Sequence, residues 1–124
     1  MTLRATPGGA YGPGVVVAGP SGLAFISGVG PRRPGSDEAI PESLEAQLAA
    51  TFDRLEEVLA ARGLGWTNVA KILLHLTDVR EHDRTWAAFA ERFGGDWVPA
   101  RTTIEVDNLP DRGARVQLDV IAAG

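Results

Sequence analysis

The sequence predicts a single α+β domain in which two helices cover one face of a largely antiparallel or mixed sheet. Three observations lead there: two stretches with helical spacing of apolar residues, several stretches with strand alternation, and their order, which is strand, strand, helix, strand, helix, strand, strand. At 124 residues the chain 1–124 is one domain, large enough to bury roughly 65% of the surface its unfolded form exposes.

Each element has its own signal. "VVVAGPSGLAFIS", from Val15 to Ser27, predicts two short strands joined as a hairpin through the turn residues Gly19, Pro20, Ser21 and Gly22. "GVGPRRPGSDEAIPES" is dense in Gly, Pro, Ser and charge and predicts a loop ending near Pro41. From Glu42 to Arg62, Leu44, Leu48, Phe52, Leu55 and Leu59 recur at helical spacing, and Gly63 is the expected stop. "NVAKILLHLTDV" alternates, with Ala70, Ile72, Leu74 and Leu76 on an apolar face and Val69, Lys71, Leu73 and His75 on a mixed one. From Asp83 to Phe93, Trp86, Phe89, Ala90 and Phe93 form a helical stripe, with Asp83 as N-cap and Gly94-Gly95 as terminator. Two last strands, about Arg101–Val106 and Arg115–Ala122, flank the turn-forming "DNLPDRGA".

Read as a hairpin, the last two strands carry the functional question. Thr102, Ile104, Val106, Val116, Leu118 and Val120 would meet the helices, while Arg101, Thr103, Glu105, Arg115, Gln117, Asp119 and Ile121 would face away. A turn symmetric about Pro110 pairs Glu105 with Arg115, Thr103 with Gln117, and Arg101 with Asp119. A solvated surface of ion pairs, each contributing roughly 0 to 1 kcal/mol, is the plain reading. Against it, Ile121, Leu73 and Val69 join the charges on that face, a mixture suited to a subunit interface with a cleft at its edge.

Composition narrows the chemistry. A hydrophobic fraction of 44% and a charged fraction of 23% are those of a globular domain. With no cysteine, disulfides, thiolate nucleophiles and Cys-ligated zinc are excluded. No segment has the apolar length of a signal peptide or membrane span, so a cytoplasmic protein without membrane partners is expected. A net charge of −4 and arginines scattered along the chain argue against a nucleic-acid partner. His75 and His82 lack carboxylates at metal-ligand spacing, so no metal is expected. Ser27 has no adjacent histidine, and "GVGPRRPG" opens no helix after a strand, which excludes a triad and a phosphate loop. Trp66 reads as a core or loop anchor, and Trp97 as a residue walling or underlying a cleft.

"AYGPGVVVAGPSGLAFISGVGP", "TDV", "FAERFG" and above all "PARTTIEVDNLP" with "VQLDVIAA" resemble the Rid family, the YjgF-like reactive intermediate deaminases, over nearly the whole chain. The resemblance implies a chorismate-mutase-like fold assembled as a homotrimer, with ligand clefts between subunits and no cofactor. It implies hydrolysis of 2-imino or enamine carboxylic acids to 2-oxo acids and ammonia. Arg101 matches the arginine that grips the substrate carboxylate, a task suited to a bidentate guanidinium. Tyr11 falls on the family's N-terminal tyrosine, and Ser27-Gly28 on the Ser-Gly lining the cleft. Asp119 falls where the best-known deaminases have a glutamate that positions water, and is one methylene shorter.

Three further departures make the pocket more apolar than the archetype's. Val29 follows Ser27-Gly28 where the deaminases have glutamine, Thr103 stands where they often have cysteine, and Trp86 corresponds to their helix asparagine. The site residues expected are therefore Arg101, Asp119 and Tyr11 as catalytic groups, with Ser27, Gly28, Thr103 and Trp86 lining the substrate. Two alternatives stand beside this reading: a non-catalytic trimer binding small carboxylates, and a Rid-like hydrolase acting on a different imine or amine. Ribonuclease or translation inhibition, a label sometimes attached to the family, fits the acidic balance least.

Overall fold

A computed structural model describes residues 2–5, 15–18, 22–33, 35–94 and 97–124, the first two segments as backbone alone. Two antiparallel strands, β1 (Thr2–Ala5) and β2 (Val15–Ala18), form a small separate ribbon. The main sheet contains β3 (Leu23–Val29), β4 (Val69–Leu76), β5 (Ala100–Glu105) and β6 (Val116–Ala123) in the order β3-β6-β4-β5. Helices α1 (Leu44–Ala60) and α2 (His82–Phe93) cover one face of it, giving the expected α+β architecture with a mixed sheet.

The helical spacing in α1 has the expected consequence: Leu44, Leu48, Phe52, Leu55 and Leu59 are all buried. Ser43 caps the helix by accepting from the Ala46 N–H at 3.1 Å. Its end is a Schellman turn, with Leu64 N donating to Leu59 O, Gly63 N donating to Ala60 O, and Gly63 at a φ of +69°. Phe52 of α1 packs on Phe89 of α2 with ring centroids 4.5 Å apart, and Trp66 stacks on Phe93 at 4.4 Å. These rings close the core over Ile72, Leu74, Leu76, Val116, Leu118 and Val120, each 0% or 1% exposed.

Four expectations change. The hairpin between Val15–Ala18 and Leu23–Val29 does not form: β2 pairs with β1, a strand the alternation did not reveal, and β3 pairs with β6. Of its turn, residues 19–21 lie outside the described residues, as does Gly95 of the second terminator. Asp83 does not cap α2, because a 3-10 turn over Val79–Glu81 leads into that helix and places Asp83 inside its first turn. Glu81 occupies the N-cap position of α2 without a side-chain cap bond, and Asp78 caps the 3-10 turn before it, its carboxylate accepting from Arg80 N at 3.0 Å. In β4 a register shift between Val69 and Lys71 brings Val69, 0% exposed, into the core rather than onto the mixed face.

The most consequential change concerns β5 and β6, which are not neighbours. β5 lies parallel to β4 after the α2 crossover, and β6 lies antiparallel on the other side of β4. The expected pairs of Glu105 with Arg115, Thr103 with Gln117 and Arg101 with Asp119 are therefore absent.

Candidate functional site

Register decides which way each expected site residue points. Ile72, which faces the helices, is aligned with Arg101 on one side and Val120 on the other. Leu73, on the open face, is aligned with Thr102 and with Asp119. Side chains in register share a face. Arg101 and Thr103 thus point to the helix side, contrary to the hairpin reading, whereas Asp119 and Gln117 point to the open side as expected. In β5 the burial follows suit, with Arg101 and Thr103 partly buried and Thr102 and Ile104 exposed.

Around Arg101 the helix-side edge of the sheet forms a narrow cleft of about 50 Å³ lined by Trp66, Trp86, Phe89, Trp97 and Pro99. The Arg101 guanidinium lies over the Trp86 ring, its Cζ 4.4 Å from the centroid, within the reach of a cation–π interaction. The Trp86 indole N–H donates to Thr103 Oγ1 at 3.0 Å. Three sequence-expected residues thus meet: an arginine, the ring supporting it, and a hydroxyl two residues along the same strand. Trp97 underlies the cleft, its indole N–H donating to Val69 O at 2.8 Å.

On the open face a second cleft of about 380 Å³ is lined by Phe25, Ser27, Lys71, Leu73, Asp119 and Ile121. The Ser27-Gly28 pair sits where the β3–β6 register shifts between Ile26 and Val29. The lack of a side chain at Gly28 matters there, because a Cβ would lie 2.4 Å from Gln117 Nε2. Two members of this cleft went unmarked in the sequence as site residues. Phe25 is 72% exposed, and Lys71 donates from Nζ to Thr102 Oγ1 at 2.9 Å. The alternation of "LAFIS" carries the signal for the first, since burying Ile26 turns Leu23, Phe25 and Ser27 outward. Tyr11 lies outside the described residues.

The arginines are less scattered than the sequence suggested. Arg32, Arg33, Arg54 and Arg62 line one cleft beside β3 and α1. Carboxylates answer three of them: Arg33 and Arg54 both pair with Glu38 and Glu57, and Arg32 pairs with Asp111 at 2.5 Å, while Arg62 donates to Val58 O at 2.9 Å. These pairs tie the loop after β3 to α1 and to the turn before β6. At the outer surface of the helices, the Arg84 side chain hydrogen-bonds Glu45 and holds its carboxyl below the ordinary value. Among the described residues no helix is long and apolar enough to cross a membrane.

Comparison with known proteins gives a consistent result. The family profile described as "Endoribonuclease L-PSP" matches residues 2–124. Protein DfrA of Myxococcus xanthus is 35% identical over 100 residues, covering 81% of this chain and 75% of that protein. The 2-iminobutanoate/2-iminopropanoate deaminase of Rattus norvegicus is 29% identical over 114 residues, covering 92% and 80%. Among solved structures, the Rid-family protein of unknown function YyfA from Yersinia pestis shares the fold with a TM-score of 0.76 at 24% identity, covering 99% of this chain and 100% of that one.

Proposed function

The chain belongs to the endoribonuclease L-PSP family, that of the Rid and YjgF-like proteins, and on that premise we propose that it hydrolyses reactive 2-imino and enamine carboxylic acids to 2-oxo acids and ammonia. One observation carries the reading. Arg101 is held at a cleft edge on an aromatic ring, with the Thr103 hydroxyl beside it, an arrangement suited to a planar carboxylate. A relative bearing a deaminase name at 29% identity supports the same chemistry.

In this reading Arg101 binds the substrate carboxylate, each charge-assisted bond contributing about 1.5 to 3 kcal/mol. Water adds to the imine carbon, its oxygen forming the new C–O bond while the imine nitrogen takes up a proton. The resulting carbinolamine loses ammonia as the C–N bond breaks, and the hydroxyl proton departs to leave the 2-oxo acid. Asp119 positions the water and accepts its proton. Because Arg101 and Asp119 lie on opposite sides of the sheet in one chain, the reading draws Asp119, with Ser27 and Gly28, from a second copy. Exposed Leu23, Phe25 and Ile104 beside Leu73 and Ile121 favour pairing of open faces between copies, and we infer a homotrimer with intersubunit sites. Positioning supplies most of the rate, since hydrolysis of such imines is intrinsically easy.

The test generates 2-iminopropanoate in situ and follows its loss. Acceleration by the protein that disappears in Arg101→Ala is expected; no acceleration, or equal acceleration by the variant, removes the proposal. A second reading, a trimer that binds small carboxylates without turnover, is favoured by Asp119 itself. That carboxylate is exposed, makes no hydrogen bond or ion pair among the described residues, and is shorter than the glutamate of the best-known deaminases. Arg101-dependent stabilisation by a 2-oxo acid, with no imine turnover, would select it.

A further inference from the structure

Trp86 is only 7% exposed, so it has almost no surface to offer a ligand. Yet it touches both groups that flank the Arg101 cleft. Its ring lies beneath the guanidinium at 4.4 Å and its N–H donates to Thr103 Oγ1 at 3.0 Å. The indole is itself fixed against Phe89, with ring centroids 4.8 Å apart.

Two consequences follow. A guanidinium resting on an aromatic ring loses much of the freedom of a long side chain, so its N–H fork is held in place for a planar anion before the anion arrives. The Thr103 hydroxyl, receiving the indole N–H in one of its lone pairs, is left with its own hydrogen free to donate elsewhere. Arg101 and Thr103 then form a pair of donors. Such a seat favours a carboxylate over an ammonium, to which it offers the guanidinium's positive charge and only the one lone pair left on Thr103 Oγ1.

We propose that Trp86 is the positioning residue that makes Arg101 and Thr103 one paired-donor seat for the carboxylate of the substrate, a role that rests on the reading of this cleft as a carboxylate site. A purely structural role for Trp86 would stabilise the core without coupling its N–H to ligand affinity through Thr103.

The test measures binding of 2-oxobutanoate, a product-like probe, to the full chain by calorimetry. Trp86→Phe keeps a ring under Arg101 and removes the N–H; Trp86→Leu removes both; Thr103→Val removes the hydroxyl. Affinity should fall about threefold in Trp86→Phe and about tenfold in Trp86→Leu. Thr103→Val should cost more than Trp86→Phe, because it also removes the hydroxyl's own donation to the ligand, and the double variant should bind no more weakly than Thr103→Val alone, because without the hydroxyl the indole N–H has nothing to orient. Additive losses in the double variant, or an unchanged affinity in Trp86→Leu, would overturn the inference and leave the proposed function standing. Absence of both 2-oxobutanoate binding and imine hydrolysis in the unaltered protein would instead remove the proposed function, and this role with it. Should Trp86→Leu fail to fold, the cycle built on Trp86→Phe and Thr103→Val still decides.

Discussion

Arg101 and Asp119 stand on opposite sides of a single sheet. Arg101 is in register with Ile72 and shares the helix-covered side, while Asp119 is in register with Leu73 and shares the open side. No rotamer change carries either side chain through the sheet. A substrate held by Arg101 of one chain therefore meets an Asp119 only if a second chain brings it.

Arginine at position 101 should not be replaceable by lysine. Lysine keeps the charge but loses the planar fork and rests less well on Trp86. Arg101→Lys is expected to lower kcat/KM for 2-iminopropanoate by about ten- to a hundredfold, measured by loss of imine under steady state. Activity within twofold of the original would mean that charge alone suffices.

Gly28 should be required because of its neighbour and not its backbone. A Cβ there meets the Gln117 side chain at 2.4 Å, and Gly28 is not among the residues with positive φ. Gly28→Ala should displace Gln117 across the open face and weaken 2-oxobutanoate binding severalfold, whereas adding Gln117→Ala should restore much of the loss. A double variant as weak as Gly28→Ala would contradict this.

Gly63 tests the helix stop. Its φ of +69° is the left-handed conformation that other residues resist, and nothing lies within 4 Å of an added Cβ. Gly63→Ala should cost about 1 kcal/mol through the backbone alone, a few degrees of Tm by thermal melting. Gly65→Ala, at a glycine with open space and no positive φ, is the control and should move Tm much less.

The contrast between β5 and β6 explains what the sequence could and could not reveal. In β6, Val116, Leu118, Val120 and Ala122 are buried as alternation predicts, because a strand with partners on both sides must bury its apolar face. In β5, alternation pointed the wrong way. The apolar Ile104 is 40% exposed, and the covered side belongs to Arg101 and Thr103. An edge strand over a functional cleft can reverse the pattern, since Trp86 covers the polar side and the proposed subunit contact the apolar one. Adjacency in sequence also favoured a hairpin, although a helix between two strands is itself a signal for parallel pairing. The arginine motif was legible as chemistry; its direction required the register.

Acid should weaken the fold through its exposed carboxylates. Arg80 hydrogen-bonds Asp78 with its side chain and backbone and lowers the Asp78 pKa; Arg84 does the same for Glu45 through its side chain. A folded value below the unfolded one means that the stabilisation is complete above the ordinary carboxylate range, near pH 4, and disappears as pH falls through the folded value. In melts across pH, Asp78→Asn should be less stable than the unaltered protein near neutrality, with the gap closing in acid. A gap that stays constant with pH would assign it to something other than this carboxylate.

In the proposed site one copy supplies Arg101 and another Asp119, an arrangement that subunit mixing reads out. Arg101→Ala and Asp119→Ala, each inactive alone, are unfolded together in equal amounts, refolded, and assayed for imine hydrolysis. If each site combines the two residues from different chains of a closed ring, about a quarter of the sites regain both residues, and about a quarter of the original activity should return. Mixtures that stay as inactive as the separate variants, although shown by mass to contain both chains in one oligomer, would contradict the account.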